Sequence, residues 1–465
     1  MAKFFKHHAS WRLLLLIGCE SALVIEAVVF AAWLRLRAAA WDLMANEQGW
    51  WKAALIAAVC QLCLYYSDLY DLRVVSDRRE LFVRALQSLG AASLILALLY
   101  YLFPDLIIGR GVFLIAAALV VAIIVGWRVA FSWLARHARP VERLLLVGTG
   151  VAAAELAVEL NERREELGVD IVGFIDPDES RVGPESANPR VIGTVEDIPA
   201  IVRDRQVDRV VVSLADARGK LPMNRLLEMK LAGVQFDHLA TVYEEYTGKI
   251  ALENLRPSWL IFSEGFHKSR AVSAMKRGVD IAAAVVGLAL AAPLMLICAA
   301  LVRLTSAGPA LYHQVRVGEH GRNFRVHKFR SMRRDAETAT GAVWATVGND
   351  PRVTPIGRIL RRTRLDELPQ LWNVLVGNMS LVGPRPERPE FVKDLTEQIP
   401  FYGQRHVVKP GLTGWAQVRY TYGASVEDAM EKLQYDLFYI KNLSVPLDLY
   451  IILETIKTVL MRRGS

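Results

Sequence analysis

Residues 361–375 read RRTRLDELPQLWNVL, and residues 377–386 continue as GNMSLVGPRP. Adjacent positions on a helix point about 100° apart, so Asp366 and Glu367 can serve one site only at a helix end or in a turn. Pro369 suits a first helical turn and predicts such an end. Carboxylates at a helix start face backbone N–H groups and the positive end of the helix dipole, which keeps them ionised.

The two carboxylates stand between a run of arginines and a Gly-Pro-Arg-Pro turn. An ionised aspartate can be a nucleophile or a Mg²⁺ ligand, and arginines hold phosphate oxygens in bidentate pairs. The pattern predicts phosphoryl transfer, although the dipeptide alone would also fit an ordinary surface helix start. At helical spacing Arg358, Arg361 and Arg362 share one side, whereas Arg364 points elsewhere and is interpreted as a solvated charge. The proline-flanked turn presents Arg385 with little conformational freedom.

Two further segments extend the pattern, Lys328-Phe329-Arg330-Ser331-Met332 before it and PGLTGWAQV at residues 410–418 after it. With them, residues 275–463 closely resemble the bacterial sugar transferases called monotopic phosphoglycosyl transferases. A finer resemblance, to exopolysaccharide members associated with exosortase-type gene systems, rests on RPERPEF at residues 385–391 and YGASVED at residues 422–428.

The resemblance implies a two-step displacement. Asp366 attacks the sugar-linked phosphorus of a UDP-sugar, UMP leaves, and a polyprenyl (undecaprenyl) phosphate then takes the phosphosugar from the enzyme. Mg²⁺ bridges carboxylate and phosphates, and Glu367 helps to hold the metal or acts as a base. The diphosphate-linked lipid so formed begins an exopolysaccharide, and family analogy also implies a homodimer. Arg361 and Arg385 match family positions that contact the nucleotide-sugar phosphates. The candidate substrate-binding residues are Lys328, Arg330, Arg361, Arg385, Thr413 and Gln417.

Composition sets the frame for the whole chain. The 465 residues are 53% hydrophobic and 22% charged, with a mean hydropathy of +0.25, which favours membrane segments joined to soluble domains. The net charge of +8 suits an anionic lipid surface or a phosphate-bearing substrate. No nucleic-acid-binding motif accompanies that charge, so no nucleic-acid partner is expected. The four cysteines lie in apolar runs, and the nine histidines form no metal-ligand pattern.

Four apolar stretches, each long enough to cross about 30 Å of hydrocarbon, occupy the first 140 residues. They run over residues 13–33, 51–69, 85–103 and 112–134. The first is interpreted as a retained span, because it is long and carries Glu20 and Glu26. These glutamates are expected to face a neighbouring helix or to mark a transport pathway. The distribution of Lys and Arg predicts, by the positive-inside rule, a cytoplasmic N-terminus and cytoplasmic soluble domains. The resemblance implies that this multi-pass protein lies in the bacterial inner membrane.

Residues 141–267 alternate short apolar strands with helical stretches, which predicts a doubly wound, Rossmann-like α/β domain. A Gly-x-Gly turn with Gly148 and Gly150 follows the first strand, and Asp176 follows the second. The turn could cradle a pyrophosphate, and Asp176 could accept a hydrogen bond from a ribose hydroxyl. The alternative is a structural or regulatory module, in which the glycines only let strand and helix pack. Residues 178–189 are expected to form a loop.

The third predicted domain, residues 268–465, is a mainly α (α+β) catalytic domain that opens on an apolar run at about 276–302. Pro293 interrupts this run and predicts a kink. A simple span would carry the arginine-rich region out of the cell, away from sugar nucleotides, so a Pro-broken re-entrant membrane helix is expected. The resembled family commonly has a Ser-Pro pair where this chain has Ala292-Pro293. Lys276 and Arg277 are expected at the headgroup level, either binding lipid phosphate or acting as snorkelling anchors.

Two other classes of function remain as alternatives. A membrane-anchored nucleotide-sugar dehydratase or epimerase would need a Tyr-x-x-x-Lys pair, and the sequence contains none. A non-catalytic scaffold of polysaccharide assembly would fit if the Asp-Glu pair were inert.

Overall fold

The computed structural model describes residues 11–70, 78–137, 142–162, 164–179, 190–213, 222–252, 265–266, 269–333, 336, 350, 352–420, 423 and 425–460. The chain forms two compact units, Met1–Tyr246 and Thr247–Ser465. Most of the loop expected at 178–189, and Tyr422 and Ala424 of the 422–428 motif, lie outside the described residues.

The first unit begins with helices, of which four are apolar as predicted. The helices described here are Trp11–Leu36 (α1), Ala40–Asn46 (α2), Gly49–Tyr66 (α3), Arg78–Leu102 (α4) and Arg110–His137 (α5), and the short α2 is not one of the four. By length and composition, the segments Leu16–Asn46, Leu81–Leu102 and Gly111–Ala130 can cross a membrane. The 18-residue α3, which carries Lys52 and Gln61 and has aromatic residues at both ends, is not among these segments.

A charged pair is buried inside this helical bundle. Arg128 Nε on α5 lies 2.7 Å from Glu20 Oε1 on α1, and both side chains are at most 1% exposed. The Tyr70 hydroxyl also donates to Glu20. Of the two interpretations offered for Glu20, its position therefore matches a contact with neighbouring helices, whereas Glu26 is exposed.

The predicted Rossmann-like domain is confirmed by a five-stranded parallel sheet in the order β3-β2-β1-β4-β5. Its strands are Glu142–Val147 (β1), Val169–Ile175 (β2), Val191–Gly193 (β3), Arg209–Val212 (β4) and Gln235–His238 (β5). The helices between and after them are Val151–Glu162 (α6), Arg164–Leu167 (α7), Ile198–Asp204 (α8), Met223–Leu231 (α9) and Leu239–Thr247 (α10). Strand β1 is central and its last four residues are buried, as expected for a parallel sheet covered on both faces.

The second unit is mainly helical, as predicted. It contains the 36-residue helix Arg270–Thr305 (α11), which is also long and apolar enough to cross a membrane. The antiparallel hairpin Leu311–Val317 (β6) and Asn323–Phe329 (β7) follows it. The remaining elements are Pro355–Arg362 (α12), Gln370–Val376 (α13), Ser380–Val382 (β8), Pro389–Gln398 (α14), Gly411–Thr413 (β9), Trp415–Arg419 (α15), Val426–Lys441 (α16) and Val445–Leu460 (α17). Strands β8 and β9 pair in parallel.

Helix α11 is packed against this unit on both sides of Pro293. Ala284, before the proline, belongs to an apolar cluster with Val326, Val374 and Met379. Cys298 and Val302, after it, belong to a second cluster with Phe329 and Leu360. Strand β7 contributes to both clusters, through Val326 and Phe329. The structure assigns one helix across Pro293, so the re-entrant path stays a prediction.

Candidate active site

The Asp366-Glu367 pair lies on a short 3₁₀ turn, Leu365–Glu367, between α12 and α13. Helix α12 ends at Arg362, and Arg364 takes the left-handed conformation with φ 57° that reverses the chain. Pro369 is the N-cap residue of α13. The carboxylates therefore occupy a turn just before a helix start, the kind of position that Pro369 predicted.

Glu367 is held by two cations that come from distant parts of the chain. Its Oε1 atom accepts a hydrogen bond from Lys328 Nζ at 2.9 Å and another from Arg385 Nη2 at 3.1 Å. Burial would raise the pKa of Glu367, but the charges of Lys328 and Arg385 outweigh it and hold that pKa well below its ordinary value. Glu367 is thus a permanently ionised anchor for both cations.

Asp366 has a different environment, although it is the next residue. Its side chain is buried, and its Oδ1 atom has no hydrogen-bond partner within the described chain. Burial and then the charge of Glu367 raise the pKa of Asp366 to about 6, against the lowering effect of Lys328, Arg361 and Arg364. A buried polar atom is nearly always satisfied, so the unpartnered carboxylate oxygen indicates a place for a ligand atom.

The charges of Arg361 and Arg364 both act on this turn. Each lowers the pKa of Asp366, and Arg364 also lowers that of Glu367. Arg364 is half-buried and its charge acts on both carboxylates, so it is more than the solvated charge expected from helical spacing. Helical spacing does not apply to Arg364, because α12 has already ended and the residue has a positive φ.

The loop that carries Arg385 is held in place by a second arginine, Arg405. Arg405 Nη2 donates to the Arg385 carbonyl at 3.0 Å and to Asp436 Oδ2 at 2.7 Å. Arg405 and Asp436 are both buried. On the hairpin, Arg316 Nη1 donates to the Pro386 carbonyl at 3.1 Å. The rigidity expected of the Gly-Pro-Arg-Pro turn thus has long-range support that local sequence does not reveal.

Lys328 is positioned by a residue that the sequence analysis did not single out. Asn373 on α13 is fully buried and bonds the backbone of β7 on both sides of residue 326. Its Nδ2 donates to the Arg325 carbonyl at 2.7 Å, and its Oδ1 accepts from the His327 N–H at 3.1 Å. Strand β7 and the helix after the carboxylate turn are therefore joined next to Lys328. The adjacent Gln370 is buried as well, and its Nε2 has no partner among the described residues.

Three other predicted substrate-binding residues are engaged elsewhere. The Arg330 guanidinium donates to the carbonyls of Ala307 at 2.9 Å and Ser306 at 2.8 Å, just after the end of α11. Thr413 Oγ1 lies 2.6 Å from Thr455 Oγ1 on α17. Gln417 is on α15, with a buried Oε1 that has no partner in the described part of the chain. Lys328 and Arg385 bind the carboxylate turn, and the charge of Arg361 acts on it. The structure describes no contact of Arg330, Thr413 or Gln417 with that turn.

The two basic residues expected at the lipid headgroups make contacts inside the second unit. Lys276 Nζ lies 2.6 Å from Asp448 Oδ2 and donates to the Val382 carbonyl at 3.0 Å. Arg277 donates to the carbonyls of Val374 and Leu375 at the end of α13, at 2.7 and 2.8 Å. Their partners lie about a hundred or more residues away in sequence, so spacing could not have identified them. Both residues fasten the start of α11 to the catalytic fold.

The weaker nucleotide-binding prediction falls at the carboxyl edge of the parallel sheet. Gly148 has φ 102°, which a glycine adopts without strain, and α6 begins directly after Gly150. Asp176 is buried, and its carboxylate accepts from the Thr149 hydroxyl and from the Asp178 N–H. These local bonds already account for Asp176, so nucleotide binding at this edge stays a prediction.

The carboxylate turn offers few ligands for a hard cation such as Mg²⁺. Carboxylate oxygens are the ligands that Mg²⁺ prefers, and it usually takes only one or two from protein, with phosphates and water completing its shell. Asp366 Oδ1 is an oxygen of this kind and has no partner among the described residues, so it could ligate a cation. Glu367 Oε1 already accepts hydrogen bonds from Lys328 and Arg385. Among the described residues, no group of three or more His, Cys, Asp or Glu side chains could hold a metal.

Two family models match parts of the chain. A family model described as "Bacterial sugar transferase" matches residues 271–462, and one described as "CoA-binding domain" matches residues 66–227. The chain is 42% identical over 259 residues to an Aeromonas hydrophila protein named UDP-N-acetylgalactosamine-undecaprenyl-phosphate N-acetylgalactosaminephosphotransferase, covering 56% of this chain and 60% of the relative.

Two longer alignments include the α/β domain. The chain is 35% identical over 334 residues to the undecaprenyl-phosphate glucose phosphotransferase of Komagataeibacter xylinus, covering 70% of this chain and 60% of the relative. It is 34% identical over 336 residues to the UDP-glucose:undecaprenyl-phosphate glucose-1-phosphate transferase of Xanthomonas campestris pv. campestris, covering 70% of this chain and 68% of the relative. The alignments thus span 60% of the length of the first two relatives. The chain belongs to the bacterial sugar transferase family.

Proposed function

We propose that this protein transfers a phosphosugar from a UDP-sugar to polyprenyl phosphate through a covalent intermediate on Asp366. The observation that carries the proposal is the contrast within one dipeptide. Asp366 keeps a buried oxygen without a partner, whereas Glu367 beside it binds two cations. The names of the relatives describe transfer of glucose phosphate or N-acetylgalactosamine phosphate to undecaprenyl phosphate, which supports the same reaction class.

In the first step, an Asp366 oxygen forms a bond to the sugar-linked phosphorus of the donor. The bond from that phosphorus to the bridging oxygen breaks, and its electron pair leaves with UMP. In the second step, a phosphate oxygen of the lipid forms a bond to the same phosphorus, and the Asp366 carboxylate is released. No net proton transfer is required in either step.

The surrounding residues supply charge and position. Lys328 and Arg385, oriented by Glu367, present positive charge next to the nucleophile. Arg361, in the last turn of α12, and Arg364, just before the carboxylate turn, also place positive charge near Asp366. Such fixed charges stabilise the negative charge that is spread over the phosphoryl oxygens during transfer. When bound, Mg²⁺ would be held by Asp366 and the donor phosphates and would neutralise further charge there.

The packing of α11 supports a re-entrant path. Residues before and after Pro293 belong to apolar clusters of one compact unit, and strand β7 contributes to both. The ends of a spanning helix lie about 30 Å apart, on opposite faces of the bilayer. A helix that enters and returns keeps both ends with the catalytic unit on the cytoplasmic side, where a soluble UDP-sugar can meet a lipid phosphate.

The test is UMP release by the purified full chain in detergent with Mg²⁺ and polyprenyl phosphate. A panel of donors should include UDP-glucose and UDP-N-acetylgalactosamine, and Asp366→Asn is the matched variant. We expect release with one donor from the wild type and none from the variant. If folded wild-type protein releases no UMP with any donor, the proposal fails and a scaffold role is favoured.

A further inference from the structure

The two helices that flank the catalytic turn expose three large apolar side chains. Ile359 on α12 is 57% exposed, and Trp372 and Val376 on α13 are 54% and 56% exposed. Trp372 and Val376 are four residues apart and share one face of their helix. We call these three residues the apolar rim. Exposed apolar groups that cluster beside a reaction site indicate a binding surface more strongly than scattered ones do.

The two helices that carry the apolar rim pack against α11 through their other residues. Leu360 and Ile356 of α12 pack against Cys298 and Val302, in the half of α11 after Pro293. Val374 of α13 packs with Ala284, in the half before it. A Cβ added at Gly287 would lie 3.2 Å from Leu371, so α13 reaches further along the same half.

The middle of α11 between these contacts exposes several apolar residues. These include Val286, Leu290, Leu294, Leu296 and Ile297. The apolar rim and this exposed section therefore belong to one unit. The rim lies on the two helices on either side of the turn that carries Asp366, and the exposed section lies on the helix that both of them contact.

We propose that the apolar rim binds the isoprenoid chain of the acceptor next to its phosphate. This inference rests on the proposed function. In the second step the acceptor phosphate must reach a phosphorus bonded to Asp366, so its first isoprene units must lie within about a nanometre of the turn. The anionic head would face Lys328, Arg361 and Arg385. The first units of the tail would contact Trp372, Val376 and Ile359, where burial of apolar area stabilises the complex.

The first test separates acceptor binding from donor chemistry. Trp372→Ser should raise the KM for undecaprenyl phosphate about tenfold, in line with the loss of a large apolar contact. UMP release in a single turnover without acceptor should change less than about twofold, because that step needs no lipid. Trp372→Phe should restore the acceptor KM, and Val376→Ser and Ile359→Ser give independent versions that change only exposed residues. The control is Leu231→Ser, at an 81% exposed apolar position in the α/β domain.

The second test distinguishes the acceptor chain from bulk lipid. A photoreactive isoprenyl phosphate should label α12 or α13, and unlabelled undecaprenyl phosphate should displace it. When undecaprenyl phosphate is present, a photoreactive phospholipid should not label α12 or α13. Equal labelling by both probes, or an unchanged acceptor KM in all three serine variants of an active enzyme, would overturn the inference. An inactive wild type would instead contradict the proposed function, so the two failures are distinguishable.

Discussion

Lys328 Nζ lies 2.9 Å from Glu367 Oε1, and Arg385 Nη2 approaches the same oxygen to 3.1 Å, so the second carboxylate of the dipeptide is neutralised by residues from a strand and from a loop. Asp366, one residue earlier, keeps an oxygen that none of the described residues binds. In the proposed mechanism the pair therefore has two roles: Glu367 orients the cations, and Asp366 reacts with the donor.

Replacing the nucleophile should abolish the chemistry without unfolding the protein. Asp366→Asn is expected to lower single-turnover UMP release by about a thousandfold or more, because the amide cannot form the phosphorus ester. The matched control is Glu390→Gln, which changes an exposed carboxylate on α14. Circular dichroism and thermal unfolding should be close to wild type for both variants. UMP release by Asp366→Asn at more than about a tenth of the wild-type rate would exclude Asp366 as the nucleophile.

The acid side of the pH profile should report the ionisation of Asp366. Burial and Glu367 raise its pKa to about 6, and only the ionised carboxylate attacks, so kcat/KM for the donor should rise as pH increases through about 6. Saturating Mg²⁺ should move this limb to lower pH, because a cation stabilises the ionised form. Lys328→Met should move it to higher pH, because a positive charge is lost. A limb near pH 4 that neither change moves would contradict this assignment.

The buried Arg405–Asp436 pair should be essential for stability and for the placement of Arg385. Arg405→Met leaves Asp436 buried without its partner, and breaking such a pair costs about 3–5 kcal/mol. We expect a lower free energy of unfolding in denaturant titrations, together with a raised donor KM, because the Arg385 carbonyl also loses its donor. The double variant Arg405→Met/Asp436→Leu should recover much of the stability but not the KM. A donor KM that returns to wild type in the double variant would argue against a positioning role for Arg405.

Removal of divalent cations should stop turnover without destabilising the protein. With excess EDTA we expect UMP release to fall at least about a hundredfold and to return when Mg²⁺ is added in excess over the chelator. The thermal unfolding midpoint of protein without donor should shift by less than about a degree, because few protein ligands face the cation before the donor phosphates arrive. Full turnover in EDTA would show that the protein cations alone neutralise the phosphates.

Features that depend on local periodicity could be predicted from the sequence. The apolar helices, the parallel sheet and the turn before Pro369 all follow from hydrophobic pattern and from proline chemistry. Lys328 and Arg385 were found through the resemblance to a known family, and their side chains meet at Glu367 although they are far apart in sequence.

Features that depend on long-range packing could not be predicted in this way. Asn373 binds strand β7, and Arg405 binds the Arg385 loop, but neither has a local signature that marks those partners. Lys276 and Arg277 follow the pattern of membrane anchors, yet their partners are a carboxylate and carbonyls inside the catalytic unit. Arg364 departs from helical spacing because it follows the end of α12 and has a positive φ, which a sequence pattern does not reveal.

The most direct test of the central claim is the mass of the enzyme after incubation with its donor and Mg²⁺ in the absence of acceptor lipid. Peptide mass spectrometry of protein quenched at acid pH should show a phosphosugar on the peptide that contains Asp366, and undecaprenyl phosphate should remove it. The modification should be absent from Asp366→Asn. A phosphosugar on a different residue would contradict the account. So would the release of one equivalent of UMP per enzyme with no phosphosugar bound to the protein.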